Sequence, residues 1–220
     1  MAKVTSEKDI TALLVIDPYN DFISEGGKVW DRLKDVAEAN QCVPHMLQVL
    51  DAARKSGIRV FYALHRRYRP GDYETWKYIA PIQKAAWSRK TFEYGTWGGE
   101  IHREFEPQPG DIVALEHWGS SGFANRDLDL QLKRHGIHKL IVMGLIAHTC
   151  VEATVRYAAE LGYEVTDLPH HFWGNPIWPF MRTSSFGCMI FDAVIAIWFL
   201  VEAPSLMRER LRAHLMARNL

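Results

Sequence analysis

Short, almost wholly apolar runs that recur between helical patterns restrict this chain more than any other feature. "TALLVID" at 11–17, "IRVFYALH" at 58–65, "DIVALE" at 111–116, "HKLIVMGLIA" at 138–147 and "YEVT" at 163–166 read as strands. Between them, "VPHMLQVLDAARKSG" (43–57), "LDLQLKRHG" (128–136) and "CVEATVRYAAELG" (150–162) place apolar residues at helical spacing and close on a glycine, the usual helix stop. Strands that are apolar on both faces need cover on both faces, so the alternation predicts an α/β fold with a parallel sheet between helices. Such sheets bind ligands beyond the carboxyl ends of their strands. Asp17, His65, Glu116 and the segment before Cys150 fall at those ends.

The stretch "LIVMGLIAHTCVEATVRYAAELG", residues 140–162, runs from an apolar strand through a polar kink into an amphipathic helix, with Cys150 at the kink. A helix opening has unpartnered N–H groups and the positive end of the macrodipole, which lower a thiol pKa and favour thiolate. The competing reading is a small buried hydrophobe. Asp17, after the first strand, shares the same crevice in such a fold. A carboxylate there takes a thiol proton and returns it to a leaving amine, unless Asp17 only shapes the turn before Pro18.

Composition sets the context. The 220 residues are 48% hydrophobic and 24% charged, the profile of one domain spanning 1–220. Lys plus Arg equals Asp plus Glu, 26 each, so no global field favours nucleic acid or an anionic membrane. Three cysteines without a CxxC pair, Cys42, Cys150 and Cys188, suit a reduced, cytoplasmic chain. The opening residues lack the apolar core of a signal peptide. The longest apolar run is broken by Asp192 and closed by Glu202, which argues against a membrane span. No HExxH, GxGxxG or P-loop frame occurs, so neither metal nor nucleotide cofactor is expected.

Residues 66–100 form a long aromatic insertion, from Tyr68 and Tyr73 through Trp87 to Trp97. It is expected to roof the crevice and exclude water, or to anchor a subunit interface. Phe22, Trp87 and Trp118 are the expected pocket walls, suiting a flat or apolar amide-type small molecule. The closing "PSLMRERLRAHLMARNL" reads as a packing or subunit-contact helix beginning at Pro204.

Three ordered blocks, "ALLVIDPYNDF", "SSGFANRDLDLQLKRHGIHKLIVMGL" and "AHTCVEATVRYAAELGYEVT", resemble the isochorismatase-like cysteine hydrolases, which include nicotinamidases and N-carbamoylsarcosine amidases. The resemblance covers about residues 10–166 and leaves the Trp- and Pro-rich 167–203 without a family counterpart. It implies a three-layer αβα sandwich, a homodimer or homotetramer, and an Asp, Lys, Cys triad. Asp17 matches the acid and Cys150 the nucleophile. The family's cis peptide maps to Ile146–Ala147, and the Ala147 and Cys150 N–H groups would form the oxyanion hole. His148 and Thr149 lie in that loop, in reach of a substrate or of solvent. The triad lysine maps to position 115, where this chain has Leu115. His117 returns to the same side of the strand, either as a substitute cation or as a pocket-wall or surface histidine.

The expected function is hydrolysis of a non-peptide C–N bond of a small molecule through a thioester on Cys150. Loss of the lysine at Leu115 makes a binding protein with an impaired triad the alternative. Isochorismatase-type vinyl-ether hydrolysis is a further alternative, disfavoured because it needs no cysteine.

Overall fold

The computed structural model describes residues 7–166. Five strands, β1 (Thr11–Ile16), β2 (Arg59–Ala63), β3 (Ile112–Val113), β4 (Lys139–Gly144) and β5 (Glu164–Thr166), form one sheet in the order β3-β2-β1-β4-β5. Every pairing is parallel. Each apolar run of the sequence supplies one strand, although "DIVALE" contributes only two residues to its own.

Alternation along the strands splits the core into two layers. Leu13 and Val15 of β1, Val60 and Tyr62 of β2, and Ile141 and Met143 of β4 face one side, against Met46, Val49, Leu50 and Ala53 of the helix Cys42–Lys55. Ala12, Leu14, Ile16, Phe61, Ala63, Leu140 and Val142 face the other, against Leu128 and Leu132 of the helix Leu128–Arg134 and Ala158 of Glu152–Glu160. Successive side chains point to opposite faces, so strands with no polar position are buried from both sides. Each large aliphatic residue removed from water here contributes about 1.5–3 kcal/mol. Cys42 is buried at the start of the first of these helices. The expected C-terminal helix, the 167–203 segment and Cys188 lie outside the described residues.

Strand order reverses between β1 and β4, because β2 and β3 continue to one side and β5 to the other. That switch point opens a crevice at the carboxyl ends of β1 and β4. Gly144 makes their close approach there: it pairs with Ile16 at φ 139°, and a Cβ would lie 2.2 Å from the Ile16 carbonyl oxygen. Any side chain would collide with backbone.

Candidate active site

Asp17 follows β1 directly, at φ 52° and with no exposed surface. This left-handed conformation is one that Asp adopts more readily than most residues. Its Oδ1 accepts the His65 backbone N–H at 2.6 Å and lies 3.4 Å from His117 Nε2. That last separation is an ionic contact without hydrogen-bond alignment, since Nε2 makes no directed bond. Asp17 Oδ2 is buried and receives no N–H or O–H donor among the described residues. It is the oxygen left for the Cys150 thiol, whose titration Asp17 governs by charge and by hydrogen bonding.

Cys150 arises from the second strand of the switch. After β4 comes a cis peptide at Leu145–Ile146, one residue earlier than the Ile146–Ala147 bond expected. A π-type turn, Ala147–Val151, then precedes the helix Glu152–Glu160, so Cys150 sits in the turn and not on the first α-helical residue. Such single π turns are frequent at functional sites. The thiol is buried and free. Burial and the Asp17 carboxylate push its pKa well up, while the Thr149 hydroxyl and the Ile146 backbone work in the opposite direction. The resting group is therefore a neutral thiol, contrary to the thiolate expected from the helix opening: desolvation and a neighbouring anion outweigh the terminal dipole. The Ala147 N–H makes no hydrogen bond among the described residues, and the Cys150 N–H makes none outside its own turn.

Leu115 is not in this site. Its side chain is 61% exposed, and its backbone N–H is held by Asp127 Oδ1 at 2.7 Å. His117 is the residue that β3 delivers. The β2–β3 pairing continues past the strands through a parallel bridge between His65 and His117, with the His117 N–H on the Leu64 carbonyl at 2.8 Å. His117 is fully buried, with its Nδ1 2.6 Å from the Gly119 carbonyl oxygen. Residues 113 and 115 keep their side chains outward. Position 117 shares their parity, yet the register against β2 slips by one residue between Val113, opposite Tyr62, and His117, opposite His65, and one extra residue sends every later side chain to the other face.

A cavity of about 430 Å³ is lined by Cys150 together with Phe22, His65, Phe92, Ile146, His148 and Thr149, and by Gln83 and Arg89 of the 66–100 insertion. Of the expected substrate contacts, Phe22 and Thr149 line it, whereas Trp87, Trp118 and His117 do not. Trp118 instead anchors the roof. Tyr73 Oη and Gln83 Nε2 donate to its carbonyl at 3.1 and 2.7 Å, Tyr73 and Trp76 pack on its ring, and the Arg66 guanidinium stacks over it at 4.7 Å. Trp87 packs against Tyr68. Phe92 belongs to the same aromatic insertion. It is a wall residue, 4.4 Å from Tyr19 and 4.6 Å edge-on to Phe22 between ring centroids.

Asp21, which sequence reading passed over, ties this wall to the sheet. Its buried carboxylate accepts the Lys28 N–H at 3.0 Å and the Phe92 N–H at 2.7 Å. Gly98 packs so tightly on it that a Cβ would lie 2.3 Å from Oδ1. The "DPYNDF" block is the only signal of it in the sequence, an acid four residues after Asp17. Among the described residues no group of three or more His, Cys, Asp or Glu converges as metal ligands, and no helix is long and apolar enough to cross a membrane.

A parallel α/β sheet with an acid and a thiol meeting at its switch point defines a class, and comparison with known proteins gives it a name. Residues 11–168 match the isochorismatase domain, and the chain belongs to that family. Among its curated relatives is the ureidoacrylate amidohydrolase RutB of Rhizobium rhizogenes, 30% identical over 181 residues, which span 76% of this chain and 73% of that one. The RutB of Caulobacter segnis is 33% identical over 163 residues, 70% of this chain and 68% of the relative. An N-carbamoylsarcosine amidase from Thermoplasma acidophilum shares the fold at a TM-score of 0.53 and 26% identity, covering 80% of this chain and 94% of its own. A cysteine hydrolase from Pseudomonas syringae pv. phaseolicola superposes at a TM-score of 0.66 and 21% identity, covering 91% of this chain and 100% of its own.

Proposed function

We propose that this chain is a cysteine amidohydrolase that cleaves a ureido- or carboxamide-type C–N bond of a small molecule. The observation that carries the reading is the buried Asp17 Oδ2, free of any N–H or O–H donor among the described residues, with the buried Cys150 thiol, whose pKa burial and Asp17 push up, among the residues lining the cavity. A carboxylate without competing donors is a general base, and a thiol that does not ionise at rest needs one.

In this mechanism Asp17 takes the Cys150 proton as the sulfur bonds to the substrate carbonyl carbon. The carbonyl π electrons move to oxygen, and the Ala147 and Cys150 N–H groups receive the oxyanion. Preorganised donors of this kind act where charge develops and contribute about 3–4 kcal/mol each. Collapse of the tetrahedral intermediate breaks the C–N bond, and the departing amine leaves with the proton held by Asp17. Water, deprotonated by Asp17, then cleaves the resulting thioester or thiocarbamate and regenerates the thiol. The relatives named for amidohydrolase and amidase activity support the reaction class.

Leu115, exposed and outside the site, supplies no argument for an impaired, binding-only protein. The test is ammonia release from a panel of ureido acids and primary carboxamides, with Cys150→Ser alongside the native chain. Release that depends on Cys150 is the expected result. Equal release by the folded Cys150→Ser protein overturns the mechanism.

A further inference from the structure

We infer that His117 is the fixed cation of this site, an imidazolium protonated on both ring nitrogens that keeps Asp17 ionised and turned so that Oδ2 faces Cys150. The inference rests on the cysteine-hydrolase reading only for its catalytic consequence; the charge assignment stands on geometry. A backbone carbonyl only accepts, so the 2.6 Å contact with Gly119 requires a proton on Nδ1. On the other side, Nε2 faces Asp17 Oδ1 at 3.4 Å. A bare Nε2 would set its lone pair against that carboxylate oxygen inside the protein. Oδ1 also accepts the His65 N–H at 2.6 Å, the short contact of a donor to an ionised oxygen. With a proton on Nδ1 and Nε2 set 3.4 Å from a buried carboxylate oxygen, the pairing that places opposite charges together is imidazolium beside carboxylate.

The surrounding charges agree. Burial opposes the charge on His117, but the Asp17 charge, the interaction with its carboxylate and the Gly119 carbonyl together hold its pKa above the ordinary imidazole value, against the Arg126 guanidinium. His65, whose ring centroid lies 5.2 Å away, is driven the other way, by burial first and by His117 next. Cys150 and Tyr19 stay neutral. Glu116 is drawn off by Arg67 and Arg66. The two histidines are thus driven apart, His117 upward and His65 downward.

His117 touches neither substrate nor sulfur; it acts through Asp17 and is a positioning residue. Its chemistry differs from that of an ammonium in one testable respect. A lysine keeps its charge to about pH 10, whereas an imidazolium gives it up at lower pH, so the site loses its cation on the alkaline side. The experiment uses the full chain labelled with ¹⁵N-histidine and long-range ¹H–¹⁵N spectra, with His117 assigned by its absence in His117→Gln. At pH 7 both His117 nitrogens are expected to carry protons and His65 only one; a bare nitrogen on His117, or the charge found on His65, overturns the assignment. Iodoacetamide alkylation of Cys150, followed by peptide mass spectrometry from pH 6 to 10, reads the consequence. The rise in rate is expected to flatten where His117 loses its proton, and His117→Lys to move that flattening upward by at least one pH unit. Coincident profiles for the native and His117→Lys proteins overturn the positioning role. The spectra read charge whether or not any amide is turned over, so this inference and the amidohydrolase reading fail separately.

Discussion

Asp17 and Cys150, at the ends of β1 and β4, are placed by backbone, whereas the roof over residues 66–100 hangs on side chains. The first pair is fixed by strand register, by Gly144 against Ile16 and by the turn that follows β4. The roof is pinned through the Trp118 carbonyl, the Arg66–Asp72 ion pair at 3.0 Å and the Asp21 bonds under Phe92. A site assembled in this way separates chemistry from selection. The reacting groups stand on rigid elements, and the surface that meets the rest of the substrate can change without disturbing the sheet. Substitutions at the strand ends should therefore strike turnover or folding outright, and those in the roof should mainly move substrate affinity.

The largest effects belong to the strand ends. Cys150→Ala and Asp17→Asn are each expected to lower turnover by about 10³-fold or more with an unchanged circular dichroism spectrum, which rapid-quench ammonia assays would follow. Turnover within tenfold of native in either variant would dissolve the distinction. Gly144→Ala drives a Cβ into the Ile16 backbone at a φ of 139°, and is expected to cost about 3 kcal/mol or more in urea unfolding.

A third expectation concerns pH. His117 is held above the ordinary imidazole value. Its contribution to stability is therefore complete below the unfolded value of about 6.5 and is lost as pH rises through the folded value. Cys150 is also raised: above about pH 8.5 the unfolded thiol ionises while the folded one does not, and stability falls further. The urea midpoint should decline from pH 6 to 9, and His117→Gln should abolish the earlier part of the decline.

Roof substitutions come next. Gln83→Ala removes the bond to the Trp118 carbonyl, worth about 1 kcal/mol, and is expected to raise KM several-fold at constant kcat. An equal fall in kcat would show that the roof shapes the reacting geometry after all. The smallest effect is expected of Leu115→Lys, an exposed position outside the site. Stability should stay within about 0.5 kcal/mol and turnover should not change.

Much of this molecule was legible before any coordinates. Apolar runs such as "TALLVI" and "KLIVMG" became strands because burial on both faces leaves no polar position to conceal, and that is a local property of the chain. Asp17 and Cys150 are legible for a related reason: Asp17 follows β1 directly and Cys150 lies in the turn that joins β4 to its helix, so locating the strands narrows the search to a few positions. Legibility failed wherever a side chain's destination depends on more than its own strand. Leu115 and His117 have the same parity, and only the one-residue slip in pairing between Val113 and His117 sends one to solvent and the other to Asp17. Trp118 looked like a wall because it is aromatic and near the site, yet Tyr73, Trp76 and Arg66 arrive from a distant segment and claim it. The Cys150 thiol was expected to ionise from the helix opening alone; burial and a carboxylate 133 positions earlier in the chain reverse the sign.

The sequence by itself thus determined the layered α/β architecture and the two residues that face each other across its switch point, because hydrophobic periodicity and strand ends are short-range. Only the tertiary structure decided which cation stands behind Asp17, which aromatics meet the cavity and whether the thiol rests charged. Those outcomes are set by desolvation and by contacts between segments 30 to 130 residues apart, such as Gln83 with Trp118 and Asp17 with His117 and Cys150.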